Sequence, residues 1–328
     1  MTRIVAVTRI LNEDDIVEAF VRHHAAHVDH MLFLDNGSCD RTLEILKALQ
    51  DEGFRLTVFQ SASASFDQIG ANIWAYQMAS QILGADWVVF LDADEFIATP
   101  HAVPLVTQLP EGQVAACLPL VNYGQTPEDD EREPVVPWRM RWRFAAQNEV
   151  GKVMLRGGLP GVVMEAGNHG VYQAGAKLAA PRLEGVFLAH YPRRNGWQVL
   201  QKIAAGRLKA LAAGMQGEVH SRHYASPFET LRDKPWELFE GRYLACDLER
   251  RDGVEAPLAY LGGSLQYWQP SRPEMKALQG FLQFAERLAR AHGRLADEVP
   301  QAKGLVEAWN AKREFLFWRP QGAIFSAL

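Results

Sequence analysis

The sequence predicts an α/β protein with a doubly wound, mostly parallel sheet, followed by a mainly helical C-terminal region. Over the first hundred residues, short apolar or β-branched runs alternate with amphipathic helical patterns, and most of the runs end in polar residues. Farther on, apolar residues recur at helical spacing over residues 270–296. We therefore expect residues 1–205 to form the sheet domain and residues 206–328 the helical region.

The predicted elements of the sheet domain follow one another in strict alternation. Strands are predicted at residues 4–7, 31–34, 56–59 and 87–91, with helices at 14–27, 40–50 and 69–83 between them. The strands are apolar on both faces, as in parallel sheets covered by helices on each side. Ligands of such sheets bind beyond the carboxyl ends of the strands, so the polar residues there form the candidate site.

The middle of the chain changes character. An acidic run at residues 128–133 lies between prolines and predicts an exposed loop. Residues 138–144 alternate apolar side chains with arginines, which predicts a strand with one cationic face. Seven glycines in residues 151–175 predict tight turns or a mobile loop. A further strand is expected at 186–189, and mostly helix from about residue 197.

Composition excludes several classes of protein. With 48% hydrophobic and 22% charged residues among 328, the chain is too apolar to be disordered. The net charge of −5 argues against a nucleic-acid partner held by a broad basic face. Three cysteines without a CxxC pair give no disulfide framework and no thiolate zinc site. Without a secretory signal or a membrane-spanning run, a cytoplasmic protein is expected, and peripheral contact with the inner face of the membrane is left open.

The sharpest motif follows the fourth predicted strand, where Asp92, Asp94 and Glu95 form a D-x-D-E sequence. Carboxylate oxygens suit Mg²⁺ or Mn²⁺, and such an ion can bridge a protein carboxylate to a diphosphate. The alternative is an ordinary solvated turn after a strand.

A second motif, Asp35-Asn36-Gly37-Ser38, follows the second strand and opens a helix. Its aspartate can accept a hydrogen bond from a base or ribose, and the helix N-terminus favours anions. Helix capping with a glycine turn explains the same residues without a ligand.

Together these motifs resemble glycosyltransferases of the GT-A fold, in the broad family 2 group. Within that group the chain is most similar to a subgroup with N-E and D-x-D-E-F motifs, near family 92. The resemblance covers roughly residues 4–205. The residues that carry it are Asn12-Glu13, Glu18, His23, Val28-Asp29-His30, Asp35 to Ser38, Asn72 and Asp92 to Phe96, and more loosely Gly151-Lys152, Gly167 to Gly170, His190 to Arg194 and Lys202.

The resemblance implies roles for these positions. Asp92, Asp94 and His190 would hold Mn²⁺ or Mg²⁺, with Asp92 also reaching ribose. The donor would be bound by Thr8, Arg9, Glu13, Asp35, Asn72, Asp92, Arg193, Arg194 and Lys202. For the general base that accepts the acceptor proton, Glu165 is the first candidate and Glu149 and His169 follow. Glu95 would orient the acceptor or the metal site.

The expected function is therefore a metal-dependent, inverting transfer of sugar from a nucleotide diphosphate sugar, with a UDP-sugar favoured, to a glycan or glycolipid hydroxyl. Cell-surface polysaccharide synthesis is the expected setting. One alternative is a nucleotidyltransferase, although residues 8–13 lack the glycine-rich phosphate loop it needs. Another is an inactive nucleotide- or carbohydrate-binding module. The histidines at 23, 24, 27 and 30 share helical spacing, and packing explains them better than a metal site.

Overall fold

The computed structural model describes residues 2–61, 68–147, 150–212, 222–239, 248 and 252–311. The strands are β1 (Ile4–Ile10), β2 (His30–Asp35), β3 (Leu56–Gln60), β4 (Trp87–Asp92), β5 (Glu95–Ala98), β6 (Ala115–Asn122), β7 (Trp142–Phe144), β8 (Gly151–Arg156), β9 (Val162–Met164), β10 (Val171–Gln173), β11 (Ala176–Lys177), β12 (Phe187–His190) and β13 (Gly253–Glu255). The helices are α1 (Val17–His24), α2 (Thr42–Asp51), α3 (Gln68–Gln77), α4 (Val136–Arg139), α5 (Gly196–Ala212), α6 (Arg222–Asp233), α7 (Pro235–Phe239), α8 (Pro273–Glu298) and α9 (Pro300–Ala311).

The central sheet has the order β3-β2-β1-β4-β8-β6-β12-β5. The first four of these strands run parallel, and β12 is parallel to β6. β8 is antiparallel to both of its neighbours, and β5 is antiparallel to β12. The predicted α/β fold with a mostly parallel sheet is confirmed, and the sheet is mixed because β8 and the edge strand β5 run in reverse.

Both faces of the sheet are buried, as the continuous apolar strands require. Along β1, Ile4 and Ala6 belong to one hydrophobic core, whereas Val5 and Val7 belong to the core on the opposite face. Side chains alternate in direction along a strand, so a strand covered on both sides must be apolar at every position. The helices that follow β1 and β2 pack their apolar faces on the first core through residues such as Phe20 and Leu46.

The seven elements predicted for the first hundred residues are all present, and apart from the end of the third helix their ends shift by at most three residues. The third helix ends earlier as α-helix and continues as a π-helical segment, Met78–Ile82. The predicted strand at 138–144 is wrong over its first half. Pro137 lies at the start of the single-turn helix α4, which buries Val136 and Pro137, and only β7 is extended. The arginines therefore do not form one cationic face.

By contacts between Cα atoms, the chain divides into two compact units, Met1–Phe284 and Ala285–Leu328. Helices α5 to α9 make up most of the described C-terminal part, as expected. The predicted domain boundary after residue 205 stays a prediction, and α5 runs across that position. In the part of the chain that the structure describes, no helix is both long and apolar enough to span a membrane.

A return segment, residues 256–268, brings the chain back to the first two helices. The carboxylate of Glu18 on α1 accepts the backbone N–H groups of Gln266, Tyr267 and Trp268, at 2.6, 2.9 and 3.1 Å. Farther up the segment, the Leu261 N–H donates to His23 at 3.2 Å. Glu18 therefore fixes the return segment on α1.

Candidate active site

A cavity of about 1000 Å³ opens at the carboxyl ends of β1 to β4, beneath α5. The register of β1 against β2 and β4 places Arg9 beside Leu34 and Asp92, so the polar ends of these strands meet at one edge. Eight of the predicted site residues line the cavity: Arg9, Glu13, Asp92, Asp94, Glu95, His169, His190 and Lys202.

The other predicted site residues lie behind the cavity wall or to one side. Thr8, Asp35, Asn72 and Arg194 are buried, and Glu165 and Arg193 are not among the lining residues. Asn72 donates to Asn168 at 2.5 Å, so it holds the loop after β9 and does not face the cavity. Glu149 lies outside the described residues, as do residues 312–328.

Asp94 is the most heavily contacted acid of the cavity. Its Oδ2 lies 2.8 Å from Lys202 Nζ and 3.7 Å from the Arg194 guanidinium, and its Oδ1 lies 3.7 Å from His190 Nε2. Burial alone would raise the pKa of Asp94, but Lys202, His190 and Arg194 together lower it below its usual value. Asp94 is therefore a buried carboxylate that keeps its charge.

Asp92 and Glu95 share a different cation, the buried Lys152 of β8. Its Nζ lies 2.6 Å from Asp92 Oδ2 and 3.3 Å from Glu95 Oε1, and Glu95 also accepts the Asp92 N–H at 2.9 Å. Burial raises the pKa of Glu95 to about 8, although Lys152 opposes this shift. Glu95 is thus a structural partner of the D-x-D turn.

Arg194 joins the loop after β1 to the D-x-D turn. Its fully buried guanidinium is paired with Glu13 and with Asp15, whose Oδ2 is 2.7 Å from Nε. Burial raises the pKa of Glu13 to about 7, against the influence of Arg194. Arg194 therefore positions acids around Asp94, and it is too enclosed to meet a ligand directly.

At the other end of the cavity, Asp35 is buried with its carboxylate already engaged. It accepts the N–H groups of Gly37 and Ser38, at 2.9 and 3.0 Å, and the Gln60 amide at 3.1 Å. The residues that face the cavity here are Asn36, Phe59, Gln60 and Trp74. The rings of Phe59 and Trp74 meet edge to face at 4.9 Å between centroids. This end offers aromatic and amide groups.

His169 lies on the turn that Glu165 holds together. The His169 Nδ1 is 2.9 Å from the Gly151 carbonyl oxygen, which can only accept, so Nδ1 carries the proton and Nε2 has a lone pair. Gly167, with φ +74°, passes so close that a Cβ there would lie 2.4 Å from His169 Nε2. Glu165 itself accepts from Tyr172 and Lys177 at 2.9 and 2.8 Å.

The donor set around Asp94 fits a divalent cation. His190 Nδ1 bonds to the Asn122 amide oxygen at 2.7 Å, which leaves the lone pair of Nε2 facing Asp94 Oδ1. Burial lowers the pKa of His190 to about 4, so both groups are acceptors at neutral pH. Neighbouring ligand atoms about 2.1 Å from one octahedral ion lie about 3 Å apart, so the two side chains would have to approach each other by about 0.7 Å from the observed 3.7 Å to hold the ion.

The remaining coordination positions would need water or diphosphate oxygens. Among the described residues, no group of three or more His, Cys, Asp or Glu side chains is arranged to hold a metal ion. Asp92, the third predicted ligand, is paired with Lys152 instead. A hard divalent ion that keeps several waters and one or two carboxylates is compatible with such a sparse set.

Sequence reasoning did not assign roles to Lys152, Asn122, Gln60, Trp74 and Tyr224, which line the cavity. A usable signal existed for Lys152, because a lysine inside an apolar strand has to be paired when it is buried. The other four are isolated residues at strand ends or on helices, and they belong to no sequence motif that would have identified them.

Fold and site define an α/β protein whose acidic strand ends, amide groups and lysines surround one cavity. The family model "Glycosyl transferase family 2" matches residues 6–157, the segment that runs from within β1 to the end of β8. This match covers a little under half of the chain and supports the expected class of enzyme, a glycosyltransferase, over that segment. No curated protein matches the chain in sequence.

Several solved structures are similar to the chain. Glucosyl-3-phosphoglycerate synthase from Mycobacterium tuberculosis, with Mn²⁺, UDP and glucosyl-3-phosphoglycerate, is 25% identical over 37% of this chain and 44% of that one, with a TM-score of 0.26. Another complex of that enzyme, with Mn²⁺, UDP-glucose and phosphoglyceric acid, is 20% identical over 66% and 82%, with a TM-score of 0.34.

A mannosyltransferase from Pyrobaculum calidifontis, in complex with GDP-Man and Mn²⁺, is 13% identical over 72% of this chain and 82% of that one, with a TM-score of 0.35. The first matches, such as those to the synthase, span less than half of the solved chains.

Proposed function

We propose that this chain is a metal-dependent, inverting glycosyltransferase that moves a sugar from a nucleotide diphosphate sugar to an acceptor hydroxyl. The observation that carries the proposal is the cavity at the strand ends, where Asp94, His190 and Lys202 converge. An anionic diphosphate can bind beside buried carboxylates only if cations lie between them. This cavity offers two possible metal ligands, Asp94 and His190, together with lysine side chains. The family 2 match over residues 6–157 supports the same reaction class.

The donor would lie along the cavity from the aromatic end to Asp94. Phe59 and Trp74 offer a face for the base, with Gln60 and Asn36 as hydrogen-bonding groups beside it. Of the predicted donor-binding residues, Arg9, Glu13, Asp92 and Lys202 line the cavity and would touch the donor. The buried ones, Thr8, Asp35, Asn72 and Arg194, would act by holding the residues that do, and Arg193 stays a prediction. We propose a UDP-sugar as the first donor to test.

Asp94 and His190, with Asp92 nearby, would hold Mn²⁺ or Mg²⁺. When bound, the ion stabilises the negative charge that develops on the leaving diphosphate. Lys202 lies against the same carboxylate and would bind the phosphate oxygens as the C–O bond to the sugar breaks. Arg194 keeps Glu13 and Asp15 in place around this centre throughout.

For the general base we propose His169. Its Nε2 carries a lone pair, its ring is fixed by the Gly151 carbonyl, and it lines the cavity. In an inverting displacement, the acceptor oxygen attacks the anomeric carbon while Nε2 accepts the hydroxyl proton, and the diphosphate leaves from the opposite face. Glu165, the first candidate from the sequence, is engaged by Lys177 and Tyr172 and lies beside the cavity, where it holds the turn that carries His169.

The acceptor and setting rest on the resemblance alone. We propose a glycan or glycolipid hydroxyl as the acceptor and cell-surface polysaccharide synthesis at the cytoplasmic face of the membrane as the setting. Detection of the product on a defined glycolipid or oligosaccharide primer tests this part separately from donor hydrolysis.

The decisive experiment is a panel of UDP- and GDP-sugars, scored by Mn²⁺-dependent hydrolysis and by thermal stabilisation. We expect one donor to be hydrolysed only with Mn²⁺ or Mg²⁺, and Asp94→Asn to lose at least 100-fold of that rate, as expected when a charged contact to the reacting centre is removed. Asp86→Asn, at an exposed acid that bonds to the Arg3 N–H, is the matched control. Nucleotide binding without any metal dependence would point to an inactive binding module instead.

A second pair of variants tests the base. We expect His169→Gln to lower the transfer rate 100-fold or more and to leave donor affinity unchanged. Glu165→Gln should keep most of the rate and lower stability, because it weakens the turn. The assignment fails if His169→Gln transfers sugar at the wild-type rate, or if Glu165→Gln alone abolishes transfer in a folded protein.

A further inference from the structure

Asn122, at the end of β6, touches the side chain of His190. The parallel register of β6 and β12 sets Asn122 directly beside His190, and the Tyr123 N–H donates to the His190 carbonyl at 2.9 Å. On the other side of β12, His190 is the register partner of Glu95 on β5. The pairing of three strands therefore fixes where the Asn122 amide and the imidazole meet.

The contact determines which ring nitrogen of His190 carries the proton. The amide oxygen of Asn122 lies 2.7 Å from His190 Nδ1 and can only accept a hydrogen bond, so Nδ1 is the donor. In a neutral imidazole the other nitrogen, Nε2, then has a lone pair, and it faces Asp94 Oδ1 at 3.7 Å. That distance is too long for a hydrogen bond and leaves two acceptors opposed.

Asn122 is itself held from behind by Gln147. The Asn122 N–H donates to Gln147 Oε1 at 2.7 Å, and Gln147 Nε2 donates to the Phe144 and Asn122 carbonyls, at 2.6 and 3.3 Å. The backbone that carries the Asn122 amide is thereby tied to the loop after β7. The amide can direct the imidazole because its own strand end is fixed.

We propose that Asn122 is the positioning residue of the metal site: its amide oxygen selects the Nδ1–H form of His190 and aims Nε2 at the divalent cation. The inference rests on the proposed function, since it assigns a purpose to the His190 and Asp94 pair. Partners of this kind fix the tautomer and orientation of a ligating histidine, and removing one typically costs 10- to 100-fold in metal affinity.

The first test needs no metal. Long-range ¹H–¹⁵N correlation spectra of the histidine rings, with His190→Gln to assign the signal, report which nitrogen is protonated. We expect the Nδ1–H form of His190 in the wild type and a shift towards Nε2–H in Asn122→Leu, which has nearly the same shape and no acceptor. Protonation of Nε2 in the wild-type protein would overturn the proposal, even if the leucine variant does not fold.

The second test measures Mn²⁺ affinity by electron paramagnetic resonance in the presence of UDP. We expect Asn122→Leu to bind Mn²⁺ at least 10-fold more weakly and Asn122→Asp, which keeps the acceptor, to stay within a few-fold of wild type. Gln173→Leu removes a side-chain amide that donates to the Pro160 carbonyl at 2.9 Å and does not line the cavity, so it should leave Mn²⁺ affinity unchanged.

The outcomes separate this inference from the proposed function. If the wild type does not bind Mn²⁺, the metal dependence in the proposed function is wrong, while the tautomer spectrum still reports on Asn122. If the wild type binds Mn²⁺ and Asn122→Leu binds it equally tightly, the positioning role is wrong and the proposed function stands. A change confined to the KM for the acceptor would assign Asn122 to acceptor binding and also overturn the proposal.

Discussion

Glu18 resembles a motif residue of a glycosyltransferase, yet its contacts predict a purely structural effect when it is changed. Its carboxylate is 2% exposed and accepts three consecutive backbone N–H groups of the return segment together with Arg22 Nε. Replacement by glutamine in Glu18→Gln keeps the shape and one acceptor oxygen. The new NH₂ group takes the place of one carboxylate oxygen. If it replaces Oε1, the Gln266 N–H and the Arg22 guanidinium lose their acceptor. If it replaces Oε2, the N–H groups of Tyr267 and Trp268 lose theirs.

The size of the effect follows from those losses. A buried donor left without an acceptor costs about 1–3 kcal/mol, so two such donors cost about 2–4 kcal/mol after partial relaxation. In a unit of this size, 1 kcal/mol corresponds to about 2–4 °C, which gives a fall in Tm of about 5–10 °C. Sugar transfer below the transition should stay within a few-fold of wild type, because Glu18 does not line the cavity.

Differential scanning calorimetry beside the transfer assay tests this prediction. Glu52→Gln is the matched control, since Glu52 pairs with the same Arg22, at 2.8 Å, from a position 25% exposed. We expect that control to cost at most about 1 kcal/mol. The reasoning is refuted if both variants lose the same stability, or if Glu18→Gln loses transfer while keeping its Tm.

Two further predictions concern buried charges. We expect Lys152→Met to cost about 1–3 kcal/mol in a denaturant titration. It removes the cation beside Asp92, whose side chain is 39% exposed and stays hydrated, and beside Glu95, which can stay protonated. A comparable loss in Lys47→Met, at an exposed pair, would contradict this. Burial lowers the pKa of the α1-region histidines, to about 3 for His23 and about 4 for His27. These histidines stay neutral when folded and protonate when unfolded, so stability is fully present above pH 6.5 and falls by about 1.4 kcal/mol per histidine and pH unit below it. Urea titrations at pH 7 and 5 should show a shallower loss for His27→Leu, and equal slopes would contradict the assignment.

The fold could be predicted where local sequence decides it. The apolar runs of β1 to β4 and the helices between them are each readable, and buried parallel strands have to follow this pattern. The reversal of β8 between β4 and β6 was not readable, because pairing across sixty residues depends on which edges come together. Alternation at residues 138–144 misled for the same kind of reason, since packing around Pro137 selects a helical turn there.

The site could be predicted as far as motifs mark it. The D-x-D-E motif made Asp92, Asp94 and Glu95 recognisable because it follows a predicted strand. The family resemblance supplied the expected roles of His190 and Lys202. Which acid takes which cation was not readable from sequence. That depends on the strand register, which brings Lys152 to Asp92 and a helix from a hundred residues later, α5, to Asp94. Asn122 gave no signal, because a single asparagine at a strand end has many ordinary uses.

Charge balance at the strand ends leads to a last prediction. Asp94 is held by Lys202 at 2.8 Å, so a divalent cation binding to Asp94 has to compete with that ammonium. When the cation displaces Lys202 from Asp94, the lysine ammonium lies unpaired beside the place where the diphosphate would bind. The cation and the ammonium then both attract the anionic diphosphate. Lys202→Met should therefore bind Mn²⁺ more tightly than wild type without nucleotide, and bind UDP more weakly with Mn²⁺ present. Lys209→Met, on the same helix but against Asn36, should leave the nucleotide-free Mn²⁺ affinity unchanged. Weaker Mn²⁺ binding by Lys202→Met in calorimetry would show that Lys202 helps to build the metal site and does not compete for it.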